Sequence, residues 1–302
     1  MQRALSYQQD LAQLTALIQQ CSSGEGTQSQ KKLDIYTNYY TKIDSEWIKA
    51  FYTPSVLFVA QGEKKLLIGQ DAFSIGAMQM AVFPVALPLE IKITRATTVK
   101  PFLGVGLTIT PEKIAEFVPK VYPTGLPALK KQEKVYVTKI DPKILNAIFR
   151  MMNSSTNQQE LDLILPLIKD EILIRLLQSP LGVPLAELGF TNSKTQQITA
   201  AINWLKENFN QPVLVSDLAK IAHMSISSFH SHFKKTTGMS PLNYQKIIRL
   251  QTSRRIMLSK HLDAQEAGYL VGYLSPSQFS RDYKKYFGNS PKKDALILQT
   301  KM

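Results

Sequence analysis

The residues best equipped for chemistry lie in two stretches that repeat one another, and what they offer is hydrogen bonding to base edges and neutralisation of phosphate. Residues 223–241 read HMSISSFHSHFKKTTGMSP, and residues 273–291 read YLSPSQFSRDYKKYFGNSP. At a constant offset of fifty positions Ser225 falls on Ser275, Ser227 on Ser277, Phe229 on Phe279, Lys234-Lys235 on Lys284-Lys285, Gly238 on Gly288, and Ser240-Pro241 on Ser290-Pro291. Ser227, His230 and Ser231 in the first copy and Ser277, Gln278 and Arg281 in the second are candidate base contacts. An arginine fork matches guanine O6 and N7, a glutamine amide matches adenine, and hydroxyls serve either. Lys234, Lys235, Lys284 and Lys285 are candidate phosphate contacts, which position a protein on DNA without specifying sequence.

Those side chains need a helix to present them. Ser225 and Ser275 are placed to N-cap one, and Pro276 suits its first position. Phe229 and Phe233, like Phe279 and Tyr283, are four apart and share an inward face, leaving the polar and basic residues on the opposite one. Gly238 and Gly288 follow as C-terminal stops. Ahead of the first copy, Ser216 is placed to cap a helix through Leu218, Ile221 and Ala222. Ahead of the second, residues 266–271 lead to Gly272, free to adopt a left-handed turn. The spacing thus predicts two helix-turn-helix motifs, about 216–237 and 266–287. A helix from Pro241 to about Ser259 joins them, with Lys246, Arg254 and Arg255 outward. At about 1.5 Å per residue it separates the motifs by roughly 25 Å, enough for two recognition helices to enter successive major grooves.

Other chemistries find no support in the residue types. All four histidines, His223, His230, His232 and His261, lie after residue 222. The preceding part therefore lacks an ordinary transition-metal ligand set, and no metal or other cofactor is expected. His230 and His232 point to different helix faces, which argues against zinc. There is no glycine-rich phosphate loop and no nucleophile elbow, so catalysis is not expected. Gly104-Val105-Gly106 is read as a packing feature. Cys21 is the single cysteine, which precludes an internal disulfide and fits a reducing cytosol.

The formal net charge is +13, and it is concentrated at one end: residues 193–302 hold 16 Lys+Arg against 6 Asp+Glu, residues 1–192 hold 20 against 17. A polyanion such as DNA is the partner this implies. The length suits two domains, each with a sizeable core. With no signal sequence and no apolar run of membrane-spanning length, a cytoplasmic protein, on the nucleoid when bound, is expected.

The segment from about Thr195 to Ala295 resembles the tandem helix-turn-helix domain of the AraC family of bacterial transcription regulators. The resemblance rests on LAKIAHMSISSFHSHFKKTTGMSP, NYQKIIRLQTSRRIMLS and VGYLSPSQFSRDYKKYFGNSP, and covers about a third of the chain. The chain departs from the usual pattern at Gly268 and Ser253, where alanine is usual, at Ser231, where arginine is common, and after Pro291, where an aromatic-arginine pair is often seen.

Earlier in the chain, residues 5–20 have the spacing of an amphipathic helix. From Leu33 to Thr110 the texture changes to short runs (IYTNYY, SVLFVAQ, KLLIG, MQMAVF, LEIKIT, PFLGVGLTI) that argue a small barrel or sandwich. PSVLFVAQGEKKLLIGQDAFSIG, FPVALP and PFLGVGLTITPEKIAEFV are similar to the amino-terminal domain of one branch of the same family, which is cupin-like. Helices follow from Pro111, from Asp141-Pro142, and over Gln158 to Gln178, the last with an apolar stripe wide enough to cap the barrel and meet a second subunit. Residues 119–134 read as a loop.

The fold class expected is α+β multidomain: a cupin-like β-barrel with flanking helices, then an all-α, homeodomain-like tandem helix-turn-helix domain. The divisions are an N-terminal helix or arm over 1–32, an effector or dimerisation domain over 33–180, a linker over 181–194 with the boundary near Asn192, and a DNA-binding domain over 195–296. The resemblance implies double-stranded operator or promoter DNA, a small-molecule effector, a homodimer and RNA polymerase as partners, and no membrane. The few charged residues in the strand runs predict an apolar or weakly polar effector. Two alternatives stay open: a ligand-binding or enzymatic barrel with accessory DNA binding, and an architectural binder without sequence preference.

Overall fold

Helix α1 (Gln2–Cys21) inserts Leu14 and Ile18 into a core shared with strands and later helices, so the segment set apart by its sequence as an arm is part of the first unit. In the computed structural model, which describes residues 2–129, 131–154, 157–190, 193–260 and 262–299, the chain forms two compact units, Met1–Gln196 and Gln197–Met302. The boundary expected near Asn192 lies outside the described residues.

After α1 come β1 (Gly26–Gln30), β2 (Ile35–Tyr40), β3 (Ile48–Tyr52), β4 (Ser55–Gln61), β5 (Glu63–Ile68), β6 (Asp71–Gly76), β7 (Gln79–Phe83), β8 (Leu87–Arg95) and β9 (Phe102–Thr108). Then follow α2 (Pro111–Val121), β10 (Tyr136–Lys139), α3 (Pro142–Asn153), α4 (Leu165–Leu177) and α5 (Gly182–Ala186). The barrel expected from strand spacing is an open one. The strands form two antiparallel sheets, a six-stranded one ordered β1-β2-β9-β4-β7-β10 and a four-stranded one ordered β3-β8-β5-β6, in a cupin-like arrangement.

The central strands of the larger sheet are buried on both faces, which is why SVLFVAQ and PFLGVGLTI read as continuous apolar runs and not as alternation. Val56, Phe58, Leu103, Val105 and Leu107 join the core formed with α1, α3 and α4. The opposite face of the sheet turns toward the smaller sheet.

Asp141 N-caps α3 by accepting from the Lys143 amide at 2.8 Å, as its sequence predicts. The helix expected unbroken over 158–178 opens instead with a π-helical turn, Glu160–Ile164, before α4. Pro166 lacks an amide hydrogen and its ring would crowd the carbonyl four residues back, so the wider turn relieves a conflict that apolar spacing does not reveal. Helix α2 likewise runs past Pro119 to Val121, into the segment read as loop. Residues 181–188, expected within a linker, carry α5, and Leu181, Leu185, Ala186 and Leu188 are buried in the first core.

The second unit contains α6 (Lys194–Glu207), α7 (Val215–Ile221), α8 (Ile226–Thr237), α9 (Pro241–Lys260), α10 (Ala264–Leu270), α11 (Pro276–Phe287) and α12 (Pro291–Gln299). Ser225 and Ser275 cap α8 and α11 by accepting from the Ser228 and Gln278 amides, each at 3.3 Å. Gly238 and Gly288 end those helices in the left-handed region, with φ of 80° and 84°. Ser216 does not cap: α7 starts at Val215 after an extended Leu214, placing Ser216 inside the first turn. Asp263 caps α10, in a reciprocal box with Glu266. Gly268 fits the helix crossing, since a Cβ there would stand 3.0 Å from the Phe279 ring.

Two of the left-handed glycines, Gly272 and Gly288, differ in what surrounds them. Gly272 has φ of 88°, and a Cβ on it would meet the Asn210 carbonyl oxygen at 2.1 Å, whereas nothing lies within 4 Å of a Cβ on Gly288. Gly288→Ala should therefore cost only the left-handed strain, about 1–2 kcal/mol. Gly272→Ala adds a backbone clash and should cost at least about 2 kcal/mol more, read as urea midpoints of the two variants.

Candidate nucleic-acid interface and inter-sheet cavity

Burial of Phe229 and Phe233 on one side of α8 turns Ser227, His230, Ser231, Lys234 and Lys235 to the surface. The same division recurs on α11, where Phe279 and Tyr283 are buried and Ser277, Gln278, Arg281, Lys284 and Lys285 are exposed. All ten residues singled out from the sequence thus lie on the outer faces of their two helices. The Gln278 side-chain oxygen accepts from Arg281 Nη2 at 2.9 Å, which couples the two side chains on the outer face. His223 and His230 are exposed and His232 is half-buried, while His261 lies outside the described residues. Among the described residues no cluster of three or more His, Cys, Asp or Glu could hold a metal ion.

Helix α9 supports both faces. Phe233 packs edge-on to Tyr244 of α9, with ring centroids 5.5 Å apart. Arg249 donates to the carbonyls of Phe209 at 2.6 Å, Gln211 at 2.9 Å and Gly272 at 3.1 Å. Arg254, expected to point outward, turns in and grips Asp294 of α12 with two hydrogen bonds, at 2.8 and 3.0 Å. Asp294 also accepts from the buried Tyr283 hydroxyl at 2.7 Å. A phenol hydroxyl facing an apolar interior needs an acceptor, and that requirement recruits the carboxylate and with it the guanidinium. Burial raises the Tyr283 pKa, which keeps the hydroxyl a donor.

A ligand-sized space inside the strand-rich domain is expected from the strand pattern, and the first unit holds a cavity of about 310 Å³ between its two sheets, though none of its lining residues was singled out from the sequence. Its polar lining comes from Thr27, Asn38, Tyr40, Tyr52, Thr53 and Ser55, and its apolar lining includes Ile48, Ala50, Leu57 and Ile91. None of the lining residues is acidic. The lining residues come from β1, β2, β3, β4, β8 and β9 and the turn after β3, so only the folded sheets assemble them. Gly106 lines the floor, where a Cβ would touch Tyr36, and its missing side chain leaves room.

Against Tyr52, which lines the cavity, lies Lys64 of β5, itself not part of the lining and with 1% of its surface exposed. Its ammonium donates to the Tyr52 hydroxyl at 2.8 Å and stands 5.2 Å from the Tyr52 ring centre and 5.3 Å from that of Phe102. No carboxylate among the described residues pairs with it. Burial pushes its pKa down to about 7.

Two sheets with flanking helices, with a cavity between the sheets, are followed by a unit with paired helix-turn-helix motifs, the architecture of a two-part chain. Residues 33–183 match the family model of the AraC-type transcriptional regulator N-terminus and residues 218–294 match a helix-turn-helix domain, and the chain belongs to the AraC-type transcriptional regulators. It is similar to the Msm operon regulatory protein of Streptococcus mutans, 31% identical over 36% of this chain and 40% of that protein. The transcriptional activator RhaS of Pectobacterium carotovorum is 26% identical over 34% of this chain and 37% of RhaS. These matches thus span well under half of those relatives. ToxT of Vibrio cholerae shares the fold, with a TM-score of 0.60 at 11% identity over 87% of this chain and 98% of ToxT. A second ToxT structure, with a TM-score of 0.51 at 11% identity over 86% and 94% of the two chains, holds an unsaturated fatty acid.

A lysine whose folded pKa is depressed to about 7 from an ordinary 10.5 binds fewer protons folded than unfolded between those pH values, so its contribution to stability improves as pH rises through that window. Lys64→Met should therefore raise the thermal midpoint at neutral pH, and its advantage over the unmodified chain should shrink toward pH 10. Parallel melts of the two proteins across that range check the sign.

Proposed function

We propose that the chain is a sequence-specific DNA-binding transcription regulator in which the first unit takes a small-molecule effector and the second reads operator DNA. The observation that carries this reading is the pair of exposed, polar and basic faces on α8 and α11, each backed by buried aromatics and braced on one helix. Membership of the AraC-type regulators supports it. The cavity supports the effector role, as does the fatty acid held by ToxT, a protein of the same fold. RNA polymerase is the further partner a promoter-bound regulator would meet.

Within the two faces, α11 does more of the base reading. Arg281 can engage guanine bidentately and Gln278 can pair with adenine, whereas α8 offers Ser227, His230 and Ser231. Lys234, Lys235, Lys284 and Lys285 lie toward the helix ends and meet phosphates. A homodimer is supported by the apolar side chains left exposed where α4 begins, Leu163, Ile164 and Leu167. No helix among the described residues is long and apolar enough to cross a membrane.

Two experiments test these assignments. In competition gel shifts Arg281→Ala should lose about 1–3 kcal/mol on the cognate site and relax preference at one base pair, while Lys284→Ala should weaken all sequences alike and lower the salt slope by about one. Equal loss on cognate and random DNA for Arg281→Ala would make that residue another phosphate contact. In sedimentation, replacing Leu163 and Leu167 together by Glu should convert a dimer to monomers with the melting profile of each unit retained, and an unchanged sedimentation coefficient would place the interface elsewhere.

A further inference from the structure

Lys64 is a buried cation whose compensation is incomplete. An ammonium carries three donors, and one of them is used, on Tyr52. The Tyr52 and Phe102 ring faces attract the charge but accept no conventional hydrogen bond. Placing an unpaired charge in a protein interior costs several kcal/mol, and a methionine of similar volume would avoid that cost. The charge anchors no ion pair among the described residues.

Its surroundings suit a ligand that brings the missing negative charge. Tyr52 both lines the cavity and accepts from Lys64, so its own hydroxyl hydrogen can be donated into the cavity. Burial raises the Tyr52 pKa, which preserves that hydrogen. The remainder of the wall is apolar or neutral, with Ile48, Ala50, Leu57 and Ile91 facing any occupant and no acidic group to repel an anion. A volume of about 310 Å³ holds roughly ten non-hydrogen atoms.

We propose that Tyr52, backed by Lys64, forms the polar end of the cavity and binds the carboxylate of an otherwise apolar small acid, Tyr52 donating to it and Lys64 supplying the counter-charge through the Tyr52 hydroxyl. This rests on the reading of the first unit as the effector-holding part, and it gives the apolar or weakly polar ligand expected from the strand composition a single negative charge at one end.

The test is calorimetric titration of the full chain with decanoate and cinnamate, each against the matching alcohol and amide. The acids should bind at least about tenfold more tightly than their neutral analogues, the difference expected of a charge-assisted hydrogen bond. Lys64→Met should weaken acid binding by about tenfold to a hundredfold while leaving the alcohols unchanged. Tyr52→Phe, which removes only the donor and keeps the ring, should weaken acids by about tenfold and decides the matter if Lys64→Met does not fold. Equal binding of acids and alcohols, no binding of either acid, or acid binding untouched in both variants overturns the proposal. Gel shifts on the same preparations separate it from the regulator reading: acid-selective binding without DNA binding leaves this site standing and removes that reading, and DNA binding without acid selectivity does the reverse.

Discussion

One guanidinium sets the register of the DNA-binding unit. Arg249 donates to the carbonyls of Phe209 and Gln211, in the segment leading from α6 to α7, and to that of Gly272, in the turn of the second motif. Gln245, one turn earlier on α9, donates again to the first two, at 3.0 and 2.7 Å. Loop carbonyls have no helix or sheet partner, and where the backbone is drawn against a helix they must be satisfied from that helix. A planar fork with five donors does so in several directions at once, which a lysine ammonium cannot match. Gly272 belongs to the same junction, because its bare Cα lets the turn approach the Asn210 carbonyl. Both motifs are thereby referenced to α9 through main-chain atoms, and their outer side chains are free to differ without disturbing the frame.

The first unit meets a different constraint. Its larger sheet is covered by helices on one side and by the smaller sheet on the other, so the central strands have no solvent face and the interior must fill two layers. On the helix side α1, α3 and α4 supply a continuous apolar core. On the inter-sheet side it stops where β1, β2 and β3 approach one another, and there hydroxyls and an amide cluster, Thr27 donating to Asn38 at 3.0 Å and lying 3.3 Å from the Tyr40 hydroxyl. A polar group in a half-filled interior is retained only where it is paired, and these groups are paired mostly with one another. Lys64 is the exception, being paired for position and not for charge.

What could be read from the sequence follows from how local each signal is. Caps, stops and helix faces in the repeat depend on residues a few positions apart, so Ser225, Gly238, Phe229 and Phe233 announced α8 correctly and their counterparts announced α11. Strands β2, β4 and β9 were visible because β-branched and aromatic residues run together there, while β1 (GTQSQ) and β6 (DAFSIG) were missed because pairing to β2 and β5, and not composition, makes them strands. Arg254 was assigned to solvent from its place on α9, and only the fold brings Asp294 of α12 to meet it. The residues that line the cavity were invisible for the same reason, and so was the meaning of Lys64, which in sequence is one lysine in a charged turn and in the fold is buried against Tyr52.

The repeat itself shows where divergence was permitted. The recognition helices correspond at an offset of fifty residues, yet the preceding helices α7 and α10 begin at Val215 and Ala264, forty-nine apart, so the second turn is one residue longer. The left-handed position is His223 in the first motif, with φ of 50°, and Gly272 in the second. A non-glycine residue is strained there by about 1–2 kcal/mol, tolerable at an exposed turn but excluded at Gly272, where the Asn210 backbone leaves no room for a Cβ. Replacing the inward Phe233 by Tyr283 had a larger effect, since its hydroxyl ties α11 to Asp294, and Asp294 ties both to Arg254. The helix that carries Arg281 and Gln278 is thus the one fixed by a three-member polar network in addition to its aromatic contacts. The base-reading role proposed for Arg281 and Gln278 demands a helix held to a fraction of an ångström, and α11 has that support.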